Sequence, residues 1–315
     1  MNEPSETMRQ VLTRLEQEDA GLVDPTRLAP QHGRALADLT NMRWNVPLPE
    51  MAEARTVMHA GLPARLVTPP NDSGRDAILH VHGGGWAFCS PATHEGAARR
   101  LALACCAPVL TVDYRLAPEH PWPAGLEDVT EAFRAADGPR RWSIAGDSAG
   151  ANLALCATLR LVRAGERVPA QALLFYGVYA AEFDSPSYVA HADGPGLTRD
   201  KMRRYWDMYV PAPQRTDPEV APLTATDADL AALPPLYLNA AGLDPLRSET
   251  ERLFDRLRGL GRHDTCDVIP GVIHGFMQMG QVLPEASDAF ARAGAVFTDR
   301  ADGTEWTINK EEERP

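Results

Sequence analysis

Four short stretches of the chain carry residue types whose spacing suits nucleophilic chemistry at a carbonyl carbon. The first is Gly146-Asp147-Ser148-Ala149-Gly150. A strand-like run (residues 142–145) precedes it and a helical run (149–163) follows. That arrangement sets Ser148 on a sharp strand-to-helix turn with its hydroxyl lifted towards a helix N-terminus. Glycines on either side of the serine are what such a turn demands, because strand and helix approach too closely for a Cβ.

The second stretch is His82-Gly83-Gly84-Gly85-Trp86, directly after an apolar strand. Acyl transfer needs N–H donors aimed at the oxygen that becomes negative. Bare glycine backbone supplies them, so Gly83 and Gly84 are the expected donors, joined by the Ala149 amide next to the nucleophile. A phosphate loop is the competing reading of three glycines, but neither G-x-x-x-x-G-K-[ST] nor G-x-G-x-x-G occurs here. His82 is expected to brace this loop, and His80 to be an ordinary strand histidine.

A general base for Ser148 needs a near-neutral pKa and reach, which imidazole provides. Of the nine histidines only His274 follows a late strand, where a parallel sheet gathers its reactive groups. His32, His59, His94, His191 and His263 lie in polar or loop-like surroundings. Asp244 precedes His274 and is the expected carboxylate partner, giving the order Ser, Asp, His. Asp244-Pro245 is also a common helix start, so a capping role stands beside the catalytic one. Glu249 is the alternative carboxylate.

The elements that must hold these residues alternate. Strands are expected at residues 77–82, 108–112, 142–145, 172–175, 236–238 and 266–269, with a hairpin at 55–59 and 64–68. Helices are expected at 96–106, 125–136, 149–163, 247–260 and 286–297. This rhythm predicts an α/β fold with a mostly parallel sheet covered on both faces. Two helices break it: one bearing Met8, Val11, Leu12 and Leu15, and one over 198–210 with Met202, Tyr205, Trp206 and Tyr209 on one side. Together they suit a lid over a sheet-end site. Trp86, Phe88 and Cys89 continue the glycine loop, either walling a substrate pocket or packing beneath it. Cys89 has no neighbouring base and is not read as a second nucleophile.

Composition narrows the classes further. A net charge of −12 over 315 residues opposes binding to nucleic acid or an anionic membrane. Five cysteines without framework spacing and a polar, acidic start point to a reducing, cytoplasmic setting. The longest apolar run, 101–112, is too short to span a bilayer. No zinc or C-x-x-C spacing is present. The segment 300–315 is polar and charged, and is expected to be frayed.

Taken together, His82-Gly83-Gly84-Gly85, Asp113-Tyr114-Arg115-Leu116-Ala117-Pro118-Glu119, Gly146 to Gly150, Asp244-Pro245-Leu246 and His274-Gly275-Phe276 resemble the hormone-sensitive-lipase-like branch of the α/β-hydrolases. The resemblance implies a triad of Ser148, Asp244 and His274, an oxyanion hole of Gly83, Gly84 and Ala149, and a sheet of about eight strands. It implies hydrolysis of short- to medium-chain acyl esters, small molecules, without cofactor or metal. It places a cap in residues 1–50 and 181–230, core in 51–180 and 231–300, and a tail in 301–315. Trp86, Phe88, Tyr205 and Trp206 are the expected substrate contacts, and the run 114–119 is expected to hold the oxyanion loop. Family members are often homodimers. Arylformamidase-like relatives usually carry tyrosine where Gly85 stands, which leans this chain towards esters, and receptor-like plant relatives have lost the histidine retained here as His274.

Overall fold

A computed structural model describes residues 3–301. The tail expectation for 302–315 lies outside the described residues.

The strands are β1 (Glu53–His59), β2 (Leu62–Thr68), β3 (Asp76–Val81), β4 (Val109–Val112), β5 (Arg141–Asp147), β6 (Ala172–Phe175), β7 (Leu236–Leu243) and β8 (Thr265–Ile273). They form one sheet in the order β1-β2-β4-β3-β5-β6-β7-β8. β1 and β2 are the antiparallel hairpin foreseen at the edge, and β2 joins β4 antiparallel. From β4 to β8 every pairing is parallel.

Parallel strands covered on both faces must be apolar on both, and β3 is buried at all six positions. Alternation sends Leu79 and Val81 into one core and Ile78 into the other. The helices are α1 (Glu6–Glu18), α2 (Pro30–Asn41), α3 (Glu95–Cys105), α4 (Ala124–Arg134), α5 (Ala149–Ala164), α6 (Pro186–Ala190), α7 (Arg199–Tyr209), α8 (Asp227–Ala231), α9 (Arg247–Gly259) and α10 (Pro284–Ala301). Buried side chains of α4, α5 and α9 fill the first core, and those of α1, α3 and α10 the second.

Two kinds of difference from the sequence reading affect the site. β5, β7 and β8 each run further than their apolar patterns suggested, ending at Asp147, Leu243 and Ile273. Each therefore stops one residue short of Ser148, Asp244 or His274. The polar or small ends of these strands stay in the sheet through parallel pairing, which needs only backbone. Helices α6 and α8, in the insertion between β6 and β7, are too short to leave a periodic pattern.

Candidate active site

Ser148 has φ 54° and ψ −121°, a conformation that costs a non-glycine residue on the order of 1–3 kcal/mol. Surrounding backbone enforces it. The Ser148 N–H donates to the Phe175 carbonyl at 2.9 Å, and Asn152 N–H donates to the Ser148 carbonyl at 3.1 Å. A Cβ on Gly150 would stand 2.0 Å from the Val81 carbonyl oxygen, and one on Gly146 2.5 Å from Gly150. Both glycines are thus required by close approach.

His274 Nε2 lies 2.9 Å from Ser148 Oγ, and His274 Nδ1 lies 2.7 Å from Asp244 Oδ2. A carboxylate only accepts, so Nδ1 carries the proton and Nε2 turns its lone pair to the serine hydroxyl. Asp244 is fully buried, and its other oxygen accepts the Leu246 N–H at 2.9 Å. The capping and orienting roles therefore coexist in one carboxylate. The edge of Tyr176 packs on the imidazole, with ring centroids 4.9 Å apart.

The glycine loop is held from several sides. Tyr114 hydroxyl donates to the His82 carbonyl at 2.9 Å, and His82 Nδ1 donates to the Gly83 carbonyl at 2.8 Å. Ala117 N–H donates to the Trp86 carbonyl at 2.9 Å, so the 114–119 run does brace the loop. Arg34, on α2, donates to the carbonyls of Ala87 and Ala117, both at 2.8 Å, and pairs with Glu119. Burial pushes His82 down to about 3, which keeps it neutral.

One expected donor is occupied. The Gly83 N–H donates to Asp147 Oδ1 at 3.0 Å, which corrects its assignment to the oxyanion hole. The Gly84 and Gly85 amides have no acceptor among the described residues, and Ala149 opens α5, where helix amides have no partner within the helix.

A family defined by the α/β hydrolase fold matches residues 78–278 of the chain. A carboxylesterase of Mycobacterium tuberculosis is 37% identical over 266 residues, covering 79% of this chain and 83% of its own. An ethyl acetate hydrolase of Pseudomonas putida is 31% identical, covering 72% of this chain and 75% of its own. Among solved structures, an α/β hydrolase enzyme from the metagenome of Lake Arreo, Spain, superposes with TM-score 0.89 at 32% identity, covering 96% of this chain and all of the other. The chain belongs to the hormone-sensitive-lipase-like α/β-hydrolases.

In this α/β-hydrolase a cavity of about 400 Å³ adjoins the glycine loop. Gly84, Phe88, Cys89 and Tyr205 face it from the loop and α7, and Leu36 and Ala37 from α2. Phe88 and Tyr205, two of the expected substrate contacts, line this cavity, their rings edge to face at 5.8 Å. Trp86 and Trp206 do not line it, which corrects their assignment. Trp86 is 1% exposed, stacks on Tyr209 at 4.3 Å, and donates its indole N–H to Asn152 Oδ1. Trp206 is fully buried against Trp86. Both are core residues, with Trp86 joining α7 to α5 through Tyr209, Trp206 and Asn152.

The remaining candidates have structural places. Burial pushes the Cys89 thiol up to about 12, so it carries no thiolate at neutral pH. Glu249, the alternative carboxylate, accepts the N–H groups of Tyr179 and Ala180 away from the imidazole. Among the described residues no group of three or more His, Cys, Asp or Glu stands ready for a metal ion, and no helix is long and apolar enough to cross a membrane. His94, read as a polar loop residue, is instead buried beside Asp147.

Proposed function

We propose that this carboxylic ester hydrolase cleaves short- to medium-chain acyl esters through an acyl-enzyme on Ser148. The reading rests on one observation, the continuous hydrogen-bonded chain from Ser148 through His274 to Asp244. His274 Nε2 takes the serine proton as Oγ attacks the ester carbonyl. The tetrahedral oxyanion receives the amides of Gly84, Gly85 and Ala149. His274 then protonates the leaving alcohol, and the acyl group stays on Oγ. Water, deprotonated by the same imidazole, attacks in turn and releases the acid.

Several features support the substrate class. The cavity beside Gly84 is at the small end of the range of roughly 300–1,000 Å³ common for small-molecule sites. A relative at 31% identity is named for hydrolysing ethyl acetate. A solved ester hydrolase at 33% identity and TM-score 0.88 is complexed with a bipyridine phosphonate derivative, a phosphorus group that is tetrahedral. Helices α1 and α2, with the α6 to α8 insertion, serve as the cap. The five unpaired thiols favour a reducing compartment.

The experiment is a series of p-nitrophenyl esters from acetate to dodecanoate, run on the wild type and on Ser148→Ala. Turnover should peak at short or medium chains, and the variant should lose at least about a thousandfold in kcat. Equal rates for both proteins would reject Ser148 as nucleophile, and an aryl amide outpacing every ester would move the reading to amide hydrolysis.

A further inference from the structure

Asp147 lies between two residues of the nucleophile turn, yet no step of acyl transfer uses its side chain. The carboxylate is 7% exposed. Its Oδ1 accepts the Gly83 N–H at 3.0 Å, and its Oδ2 is 3.4 Å from His94 Nε2. His80 Nε2 is more distant, 3.9 Å from Oδ1. A buried carboxylate needs compensation on every side, and the Gly83 amide supplies only one.

The surroundings of His94 decide where its protons sit. His94 precedes α3 and is 3% exposed. Its Nδ1 is 2.9 Å from Thr93 Oγ1, which receives the Ser90 N–H at 3.0 Å and lies 2.9 Å from the Ser90 carbonyl oxygen. The threonine hydroxyl has one proton to give. Given to Nδ1, it leaves the imidazole as the Nε2–H form. Given to Ser90, it requires Nδ1 to carry a proton. That tautomer would turn an Nε2 lone pair to a carboxylate at 3.4 Å, which is repulsive. The favoured arrangement aims an Nε2–H at Asp147.

We propose that His94 is a positioning residue for ester hydrolysis: its Nε2–H fixes the Asp147 carboxylate, Asp147 fixes Gly83, and the amides of Gly84 and Gly85 are thereby aimed at the oxyanion. The proposal rests on the esterase reading above. Neighbouring groups leave this task to His94. Burial drives His80 to about 4 and His82 to about 3, and their Nδ1 atoms are engaged by Thr111 and Gly83. Burial pushes Asp147 up, but His94 first, then His80 and His82, pull it down further, to about 2. Tyr176, Tyr114 and Cys89 also feel the Asp147 charge, and burial raises all three so that each stays protonated.

The test compares wild type with His94→Ala, His94→Met and His94→Gln on p-nitrophenyl acetate, with rates divided by the sites that a fluorophosphonate titrates to completion. Methionine fills the space without an N–H, and glutamine sets an amide N–H near the Nε2 position. Loss of one oxyanion donor costs about 10²–10³ in kcat, so a loosened loop should lower kcat about 10–100-fold in the alanine and methionine variants, with KM within about threefold. The glutamine variant should recover to within about fivefold. An unchanged kcat per titrated site in the methionine variant would overturn the proposal while leaving the esterase reading intact. A glutamine variant as slow as methionine would also overturn it. A wild type with no ester turnover would remove both.

Discussion

Gly83 and Asp147 stand 64 residues apart in the chain, and the amide of one donates to the carboxylate of the other at 3.0 Å. The contact links the oxyanion loop to the turn that carries the nucleophile, so the oxygen acceptor site and the attacking hydroxyl share one rigid support. On the proposed mechanism the oxyanion role falls to Gly84 and Gly85, whose amides have no acceptor among the described residues.

Gly85 offers a direct check of that shift. It has φ +59°, and a Cβ there would lie 2.3 Å from Cδ1 of Tyr205. Gly85→Ala should reduce kcat on short esters by about 10–100-fold, by displacing one donor. Adding Tyr205→Gly to it should restore part of the loss, because the second change removes the ring that the new methyl strikes. Steady-state kinetics of the single and double variants decide the point.

Asp244 serves two masters, and asparagine separates them. Asp244→Asn keeps an oxygen for the Leu246 N–H yet no longer holds His274 in the tautomer that serves Ser148. We expect kcat to fall by on the order of 10⁴, with the thermal midpoint nearly unchanged. Tm and kcat measured on the same preparation make the comparison.

Phe88 and Trp86 are two residues apart and should respond in opposite ways. Phe88→Ala enlarges the cavity beside Gly84, and the chain-length optimum should move to longer acyl groups. Trp86→Ala empties a packed core and strands Asn152, lowering stability by about 3–5 kcal/mol in urea titrations. The chain-length profile of the folded fraction should not shift.

Glu249 predicts a pH dependence of stability. Burial raises its carboxyl from 4.5 to about 8. Between those values the unfolded chain has released a proton that the folded chain keeps. Stability is thus fully present below the unfolded pKa and declines as pH rises through the folded one. Glu249→Gln should flatten this decline between roughly pH 5 and pH 8 by about 2–4 kcal/mol. Urea unfolding of both proteins at the two pH values measures the difference.

Much of the site was legible because its signals are local. The strand, tight turn and helix around Ser148 occupy a continuous stretch, and the glycine loop follows its strand directly. Asp244 and His274 each come immediately after a strand, an order visible without knowing how the strands pair. Gly83 was misassigned for the opposite reason. Its amide meets Asp147 because β3 and β5 are neighbours, with Val81 opposite Gly146, and strand order is a tertiary fact. His94 reaches Asp147 from the start of α3, a further tertiary contact that no local pattern announces. Trp206 was expected at the substrate, and Trp86 looked equally suited to a pocket wall or to packing. The choice was made by Asn152 on α5, whose carbonyl oxygen meets the indole N–H and draws the ring inward.

Arg34 ties the N-terminal segment to the glycine loop. Its guanidinium reaches from α2 to the carbonyls of Ala87 and Ala117, on the stretch that follows the glycine loop. The helix that lines the cavity therefore also holds the backbone that follows the glycine loop. Without that guanidinium, the cavity wall and the stretch behind the glycine loop would lose a shared fastening.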